Sequence, residues 1–193
     1  MRRGFKTEAR DLAREVRAEL NLTALDPLDP WVLAEHLAIP VWRLSEYATI
    51  APKAARLLAD AQQGAFSAMV AFVGHRRVVI HNDSHALTRQ RADISHELAH
   101  ALLMHEPHVV RAGKPPGFNK QQEEEAGWLG GVLLVTEEAC LSACRRNLTI
   151  EEAASLMGVS EHLMRWRINA TGARKRVARS RRGRGASGAA HQR

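Results

Sequence analysis

The run His96-Glu97-Leu98-Ala99-His100 constrains the fold of this chain more than any other feature of its sequence. It lies inside a helical pattern that extends from about residue 85 to residue 105. Residues four apart on a helix lie on one face about one turn apart, so both imidazoles can reach a single metal ion. The run therefore predicts a helix that holds two histidines over a cleft while its apolar residues pack on a core.

Glu97 follows the first histidine directly, next to the position that an open metal site leaves for water. A carboxylate there can take a proton from a water molecule that bound zinc activates. The pattern predicts a zinc peptidase site with His96 and His100 as ligands and Glu97 as the catalytic base. The alternative is a solvent-facing helix with two ordinary histidines.

The third ligand has to come from farther along the chain. The metzincin class needs a glycine and a histidine where this chain has Leu103 and Glu106, so that class is excluded. His105 and His108 are close in sequence. His105, however, is rotated away from the face that carries His96 and His100.

A second predicted helix, from about Lys120 to Val135, begins with three consecutive glutamates. Glu123 shares its row with Gly127 and Gly130, which allow another helix to approach closely, so we expect Glu123 to be the third ligand. The alternative is an acidic patch favoured by the helix dipole, and it applies to at least two of the three glutamates.

The remaining pattern indicates an α+β fold, a small antiparallel sheet with helices packed around it. Apolar residues at helical spacing predict a first helix over about 7–20, and Asp29-Pro30 resembles the start of a second. Alternating or β-branched residues predict a short strand at 41–44 and a hairpin formed by 65–73 and 76–81. Further helices are expected over about 51–62, over 136–145, and over 149–169 as a short pair.

Charge separates the chain into a folded part and a basic end. The formal net charge of +7 becomes −1 for residues 1–172, because eight Lys or Arg residues lie beyond Gly172 without any acid. Such a segment cannot bury enough apolar surface to order itself. We expect 173–193 to be a disordered tail, with non-specific phosphate contacts as one use and solubility as the other. The candidate nucleic-acid-binding residues are Arg174, Lys175, Arg176, Arg179, Arg181 and Arg182.

Two cysteines, Cys140 and Cys144, are too few for a disulfide framework and indicate buried core thiols in a reducing cytoplasm. The chain has no apolar run long enough to span a membrane, and its beginning lacks a secretory signal. The sequence therefore favours a cytoplasmic protein.

Most of residues 28–172 resemble the ImmA/IrrE family of metallo-endopeptidases. Leu28 to Trp42 is similar to the family's N-terminal helix and first strand. Val78-Val-Ile-His-Asn, then Arg91 and Ile94 to His100, are similar to its edge strand and active-site helix. Glu123-x-Glu125-Ala126, followed by Leu129-Gly-Gly-x-Leu-Leu, is similar to the segment whose first acid is the third zinc ligand.

The resemblance implies one zinc ion per chain, a thermolysin-like minimal zincin core, and Glu123 as the third ligand. It also implies that the substrate is a helix-turn-helix repressor protein, cleaved in mobile elements or in a stress response. An edge strand at 76–81 would bind the substrate as an added strand, through Val78, Val79, Ile80 and His81. His75, His81, Tyr47 and Arg91 are candidates for stabilising the oxyanion.

The pair of helices at 149–169 also resembles a helix-turn-helix and supports a rival interpretation. The chain would then be a DNA-binding regulator whose peptidase activity is secondary or lost. A third possibility is an inactive interaction module, against which the intact Glu97 argues. We expect a peptidase domain at 1–146, a helix-turn-helix-like segment at 147–172 packed on it, and the basic tail at 173–193.

Overall fold

A computed structural model describes residues 1–53, 56, 66–74, 76–105 and 119–189, with backbone alone for Val73 and for 183–189. Over these ranges, helices surround one small sheet, which confirms the α+β class. The strands are β1 (Val41–Arg43), β2 (Ala68–Val73) and β3 (Arg76–His81). The helices are α1 (Phe5–Glu19), α2 (Pro30–His36), α3 (Leu44–Ile50), α4 (Leu87–Leu102), α5 (Lys120–Leu134), α6 (Glu137–Arg145), α7 (Ile150–Met157), α8 (Glu161–Thr171) and α9 (Ala173–Ala189). The helix predicted over 51–62 lies mostly outside the described residues.

The sheet has the strand order β1-β3-β2 and is mixed. Strands β2 and β3 form the predicted antiparallel hairpin, in which Val70 pairs with Val79 and Gly74 turns the chain at a φ of 62°. Strand β1, however, runs parallel to β3, with Val41 beside Val79. The prediction of an entirely antiparallel sheet is therefore wrong for β1, because a long connection separates it from β3 and permits a parallel crossover.

Local signals set the helix boundaries that the sequence predicts. The Asp29 carboxylate accepts a hydrogen bond from the Trp31 N–H at 2.9 Å, and Pro30 occupies the first turn of α2. In α1, Phe5, Ala9 and Ala13 form the buried stripe expected of an amphipathic helix.

Helix α4 lies at the centre of the molecule. It packs against α5 on one side and against β2, β3 and α2 on others, and its Ile94 and Leu98 are fully buried. Helix α1 covers another face of α5. The pattern of apolar residues on α4 thus predicts the burial of this helix correctly.

The C-terminal helices share this core. Thr149 caps α7 through a reciprocal capping box with Glu152, and Gly158 ends it at a φ of 62°. Met164 and Ile168 of α8 belong to the same cluster of buried side chains as α4 and α5. The prediction of two short helices separated by Gly158-Val159-Ser160 is confirmed.

The basic segment differs from the expected disordered tail, because helix α9 occupies Ala173–Ala189. Ala173 and Val177 are buried against the preceding helices, which supplies the apolar contact that composition alone did not predict. Arg176 forms an ion pair with Glu137, and Arg181 donates to the Arg145 carbonyl at 2.9 Å. Disorder is therefore the wrong prediction for 173–189, and residues 190–193 lie outside the described part.

Burial raises the pKa of the Cys140 thiol to about 11, as expected for a core thiol, while Cys144 is half-buried. Among the described residues, no single helix is long and apolar enough to cross a membrane. Helices α5 and α6 meet that criterion only as a pair, bent by 50° at their junction.

Candidate metal centre

The two histidines of α4 and one glutamate of α5 converge on one point. His96 Nε2 lies 3.1 Å from His100 Nε2 and 3.1 Å from Glu123 Oε2. His100 Nε2 lies 3.6 Å from the other carboxylate oxygen, Oε1 of Glu123. The three side chains are half-buried, so the cluster is partly open to solvent.

The donor set fits a zinc ion. Zinc in catalytic sites takes three protein ligands at about 2.0–2.2 Å, which for a tetrahedron places ligand atoms roughly 3.3–3.5 Å apart. The observed separations of 3.1–3.6 Å bracket this value. Two imidazole nitrogens and one carboxylate oxygen also match a composition that catalytic zinc sites use, with one position left open.

Close packing of α4 against α5 brings Glu123 to the histidines. A Cβ at Gly130 would lie 3.1 Å from the backbone oxygen of Ser95, so any larger residue would require the two helices to move apart by a few tenths of an ångström. Gly127 lies beside the His96 ring, where a Cβ would be 3.9 Å from Nδ1. The glycine-lined row that the sequence predicts is therefore the surface of α5 that faces α4.

Glu97 lies next to the cluster and under strand β2. The backbone N–H of Val70 points to its carboxylate, and burial together with the negative charge of Glu123 raises the pKa of Glu97 to about 7. A cation in the cluster would lower this pKa again. The carboxylate is thus placed beside the ligands, where a proton acceptor is needed.

A chain of polar contacts extends behind His100. His105 Nδ1 lies 3.0 Å from His100 Nδ1, and His105 Nε2 lies 3.8 Å from an oxygen of the buried Glu125. The Glu125 carboxylate in turn accepts the backbone N–H of Arg2 at 2.8 Å and the Gln121 amide at 3.3 Å. His105 therefore fixes the ring of His100, a role that sequence spacing alone did not indicate.

Glu124, by contrast, is exposed and turned away from α4. Its carboxylate binds the amino group of Met1 at 2.7 Å. Of the three consecutive glutamates, Glu123 thus lies with the histidines, Glu125 lies behind them, and Glu124 lies at the surface. His108 is outside the described residues.

The prediction that 76–81 is an edge strand is wrong. Strand β3 is the central strand: β2 pairs with its whole length and β1 pairs with 79–81, so it is not an edge strand. The four residues proposed to bind substrate are all buried: Val78, Val79, Ile80 and His81. The sequence could not show this, because the parallel partner β1 lies more than thirty residues away.

Among the described residues, the outer edge of the sheet nearest the cluster is that of β2, which pairs with β3 alone. The Asn82 N–H donates to the Ser67 carbonyl, and this bond determines which residues of β2 are hydrogen-bonded to β3. In this pattern Ala68, Val70 and Phe72 turn their backbone N–H and C=O groups away from β3. This outer edge runs beside Glu97, because the Val70 N–H points to its carboxylate.

The candidates for stabilising an oxyanion have other described contacts. His81 is buried edge-on to the Trp31 ring, and the Tyr47 ring stacks on Trp42. Arg91 donates to the Leu28 carbonyl at 2.7 Å. These contacts give the three residues structural roles, and His75 lies outside the described residues.

The basic residues of α9 lie on exposed positions. Arg174, Lys175, Arg179 and Arg182 face solvent, whereas Arg176 and Arg181 also hold α9 to α6 and to the turn that follows it. Whether these residues contact nucleic acid stays a prediction.

Comparison with known proteins agrees with this geometry. The model of the peptidase M78 family, described as the IrrE N-terminal-like domain, matches residues 55–169, which include α4, α5 and the α7–α8 pair. No curated protein and no solved structure matches the chain significantly. Because the match covers more than half of the chain, this protein belongs to the IrrE N-terminal-like family of M78 peptidases.

Proposed function

We propose that this protein is a zinc-dependent endopeptidase of the gluzincin type, with a minimal thermolysin-like core. The observation that carries the proposal is the convergence of His96, His100 and Glu123 within bonding range of one cation. Membership of a peptidase family supports hydrolysis of a peptide bond as the reaction.

In this proposal His96 and His100 hold zinc through neutral imidazoles, and Glu123 completes the set. Bound zinc supplies a Lewis acid that polarises the scissile carbonyl and lowers the pKa of water. The Glu97 carboxylate takes the proton from the attacking water and delivers it to the amine of the leaving peptide. A pKa of about 7 for Glu97 in the absence of a cation shows how strongly the site destabilises a bare charge there.

The outer edge of β2 supports a binding mode for the peptide. An extended substrate would pair as an added strand with the outward backbone groups of Ala68 and Phe72. This places the chain of the substrate beside Glu97, which the central strand β3 cannot do.

We further propose that the substrate is a helix-turn-helix repressor, as the family resemblance implies. Release of a repressor would connect the enzyme to a mobile element or to a stress response. The exposed basic face of α9 would then hold the enzyme near nucleic acid by non-specific phosphate contacts.

The DNA-binding regulator is the second candidate, supported by the helix–turn–helix order of α7 and α8. One observation weakens it. Of the two arginines on α8, Arg167 is buried and donates to the Val135 carbonyl at 2.9 Å, so it is not available to a base edge. Arg165 is then the one arginine of α8 that is left to contact a base edge.

The test is a comparison of wild type with Glu97→Gln. The variant should retain one zinc ion per chain by metal analysis, lose cleavage, and trap an uncut partner that is identified after capture from cells. If Glu97→Gln cleaves a captured partner as fast as wild type, the peptidase mechanism is wrong. Sequence-specific duplex binding that survives removal of 173–193 would favour the regulator.

A further inference from the structure

A cavity of about 250 Å³ lies between α1, α5 and α8, and we name it the α1–α5–α8 cavity. Its wall combines a few apolar side chains with an excess of cations. Two acids, Glu137 and Glu138, also border it. The basic residues on its wall are Lys6, Arg10, Arg14, Arg17 and Arg167.

Three hydrogen-bond donors on this wall have neither a hydrogen-bond acceptor nor an ion-pair partner among the described residues. They are Nε of Arg17, Nη1 of Arg167 and the indole Nε1 of Trp128, and each is shielded from solvent. A fourth, Nε of Arg10, has no acceptor but lies 3.5 Å from an Asp11 oxygen. Buried donors are almost always paired, so three unpaired ones around a single cavity need an explanation. All three side chains line the cavity, next to the space that a bound oxygen would occupy.

The charge of the two buried guanidinium groups is compensated only in part, by carboxylates beyond ion-pair distance and, for Arg167, by the Trp128 and Trp166 rings at 5.5 and 5.4 Å. Arg17 donates only to backbone carbonyls, those of Thr23, Asp26 and Leu133, and Arg167 donates to the Val135 carbonyl. Both are about 2% exposed, and burial lowers the pKa of each. Within the described chain neither guanidinium has a carboxylate in ion-pair contact.

The acids at the border are already occupied. Glu138 pairs with Arg14 at 2.7 Å, and Glu137 pairs with Arg176 of α9. Arg10 lies 3.5 Å from Asp11, and Lys6 lies over the Trp128 ring. The wall of the cavity therefore carries a net positive charge, even with its two acids included.

We propose that the α1–α5–α8 cavity binds a small oxyanion, a phosphate or carboxylate group carried by a compact ligand. Guanidinium groups match the oxygens of both anions, and an indole N–H adds a neutral donor. The volume is below that of pockets for drug-sized ligands, which favours a small molecule. Val132 and Leu22 give the ligand an apolar wall.

This site is separate from the metal centre and from the peptidase reaction. Helix α1, which supplies four of the five basic residues, precedes the region that the family model matches. The proposal therefore stands or falls independently of zinc binding and cleavage.

The experiment is a titration of the full chain with inorganic phosphate and, separately, with benzoate, followed by NMR of the arginine Nε–H groups. Sodium chloride at matched ionic strength serves as the control for screening. We expect saturable shifts of the Arg17 and Arg167 signals with a Kd of about 1 mM or tighter for at least one anion. The anion that saturates identifies the head group.

Two exposed positions on α8 provide a matched pair of variants. Ala170 borders the cavity and Asn169 does not, so Ala170→Phe should weaken binding by about tenfold or more while Asn169→Phe leaves it unchanged. Lys6→Gln, also at an exposed position, should weaken binding without touching the buried arginines. Thermal unfolding of each variant verifies that it is folded.

The proposal is overturned if neither anion shifts the Arg17 and Arg167 signals saturably. It is equally overturned if Ala170→Phe and Asn169→Phe bind alike, since the shifts would then arise from surface arginines. Loss of zinc or of cleavage in any of these variants is recorded separately and does not bear on anion binding.

Discussion

His105 places its Nδ1 atom 3.0 Å from Nδ1 of His100, on the side of the ring opposite the metal-facing Nε2. One proton lies between the two Nδ1 atoms. If His100 binds a metal through Nε2, its own proton is on Nδ1, so His100 donates this hydrogen bond to His105. His105 then accepts that hydrogen bond and keeps its own proton on Nε2, which lies 3.8 Å from a Glu125 oxygen. Residues in this position orient a ligand and tune its basicity.

We expect His105→Phe, which keeps the ring but removes both nitrogens, to lower zinc affinity by about 10–100-fold. His105→Gln should recover part of the loss, because its amide oxygen can accept from His100. Competition with a chelator measures the affinity. His36→Phe, at an exposed histidine paired with Glu19, is the control and should bind zinc as wild type does.

Glu123→Ala should remove a direct ligand, so we expect the loss of zinc affinity to exceed the 10–100-fold typical of outer-shell partners. Glu124→Ala should leave bound zinc unchanged, because its carboxylate contacts the Met1 amino group at the surface. Metal analysis after gel filtration distinguishes the two. If Glu124→Ala loses the metal and Glu123→Ala keeps it, the ligand assignment is wrong.

Gly130→Ala should force α4 and α5 apart. Its Cβ would lie 3.1 Å from the Ser95 oxygen, and backbone cannot move away as a flexible side chain can. We expect a loss of about 1–3 kcal/mol in the free energy of unfolding, together with weaker zinc binding.

Gly127→Ala is the matched control on the same face of α5. Its Cβ would meet His96 at an ordinary 3.9 Å, and helix propensity should raise stability by up to about 1 kcal/mol. Denaturant titration of both variants checks the pair. Equal effects would contradict the close approach at Gly130.

Burial lowers the pKa of His81 below its ordinary 6.5, against the opposing charge of Asp83. As the pH falls, His81 is therefore protonated in the unfolded chain at a higher pH than in the folded chain. Stability must fall as the pH drops below about 6.5, because the unfolded state binds more protons there.

We expect His81→Leu to remove this part of the pH dependence. The difference in unfolding free energy between wild type and variant, measured from about pH 5 to pH 8, should change only on the acid side. His162→Leu, at an exposed position on α8, is the control. If the free energies of unfolding of wild type and His81→Leu differ by the same amount at every pH, the role of His81 is contradicted.

Local signals made much of the fold predictable. The spacing of His96 and His100 and the Asp29-Pro30 cap each act within a few residues, so the sequence is sufficient to recognise them. The glycine row beside Glu123 also indicated the face of α5 that meets α4.

Non-local pairing was not predictable in the same way. The central position of β3 depends on β1, which reaches it through a long crossover. His105 contacts His100 because Met104, at a φ of 50°, turns the chain back after α4 ends, and the helical pattern had extended the helix too far. The burial of Arg17 did leave a signal, since it continues the apolar stripe through Ala9 and Ala13 by four residues.

Helix α5 presents Glu123 to the histidines and Trp128 to the cavity beside α1. Its fifteen residues span about 22 Å, so a single helix connects the two sites. Thermodynamic linkage then makes the two ends reciprocal. If an anion bound in the cavity raises the affinity for the metal ion by some factor, the bound metal ion must raise the affinity for the anion by the same factor.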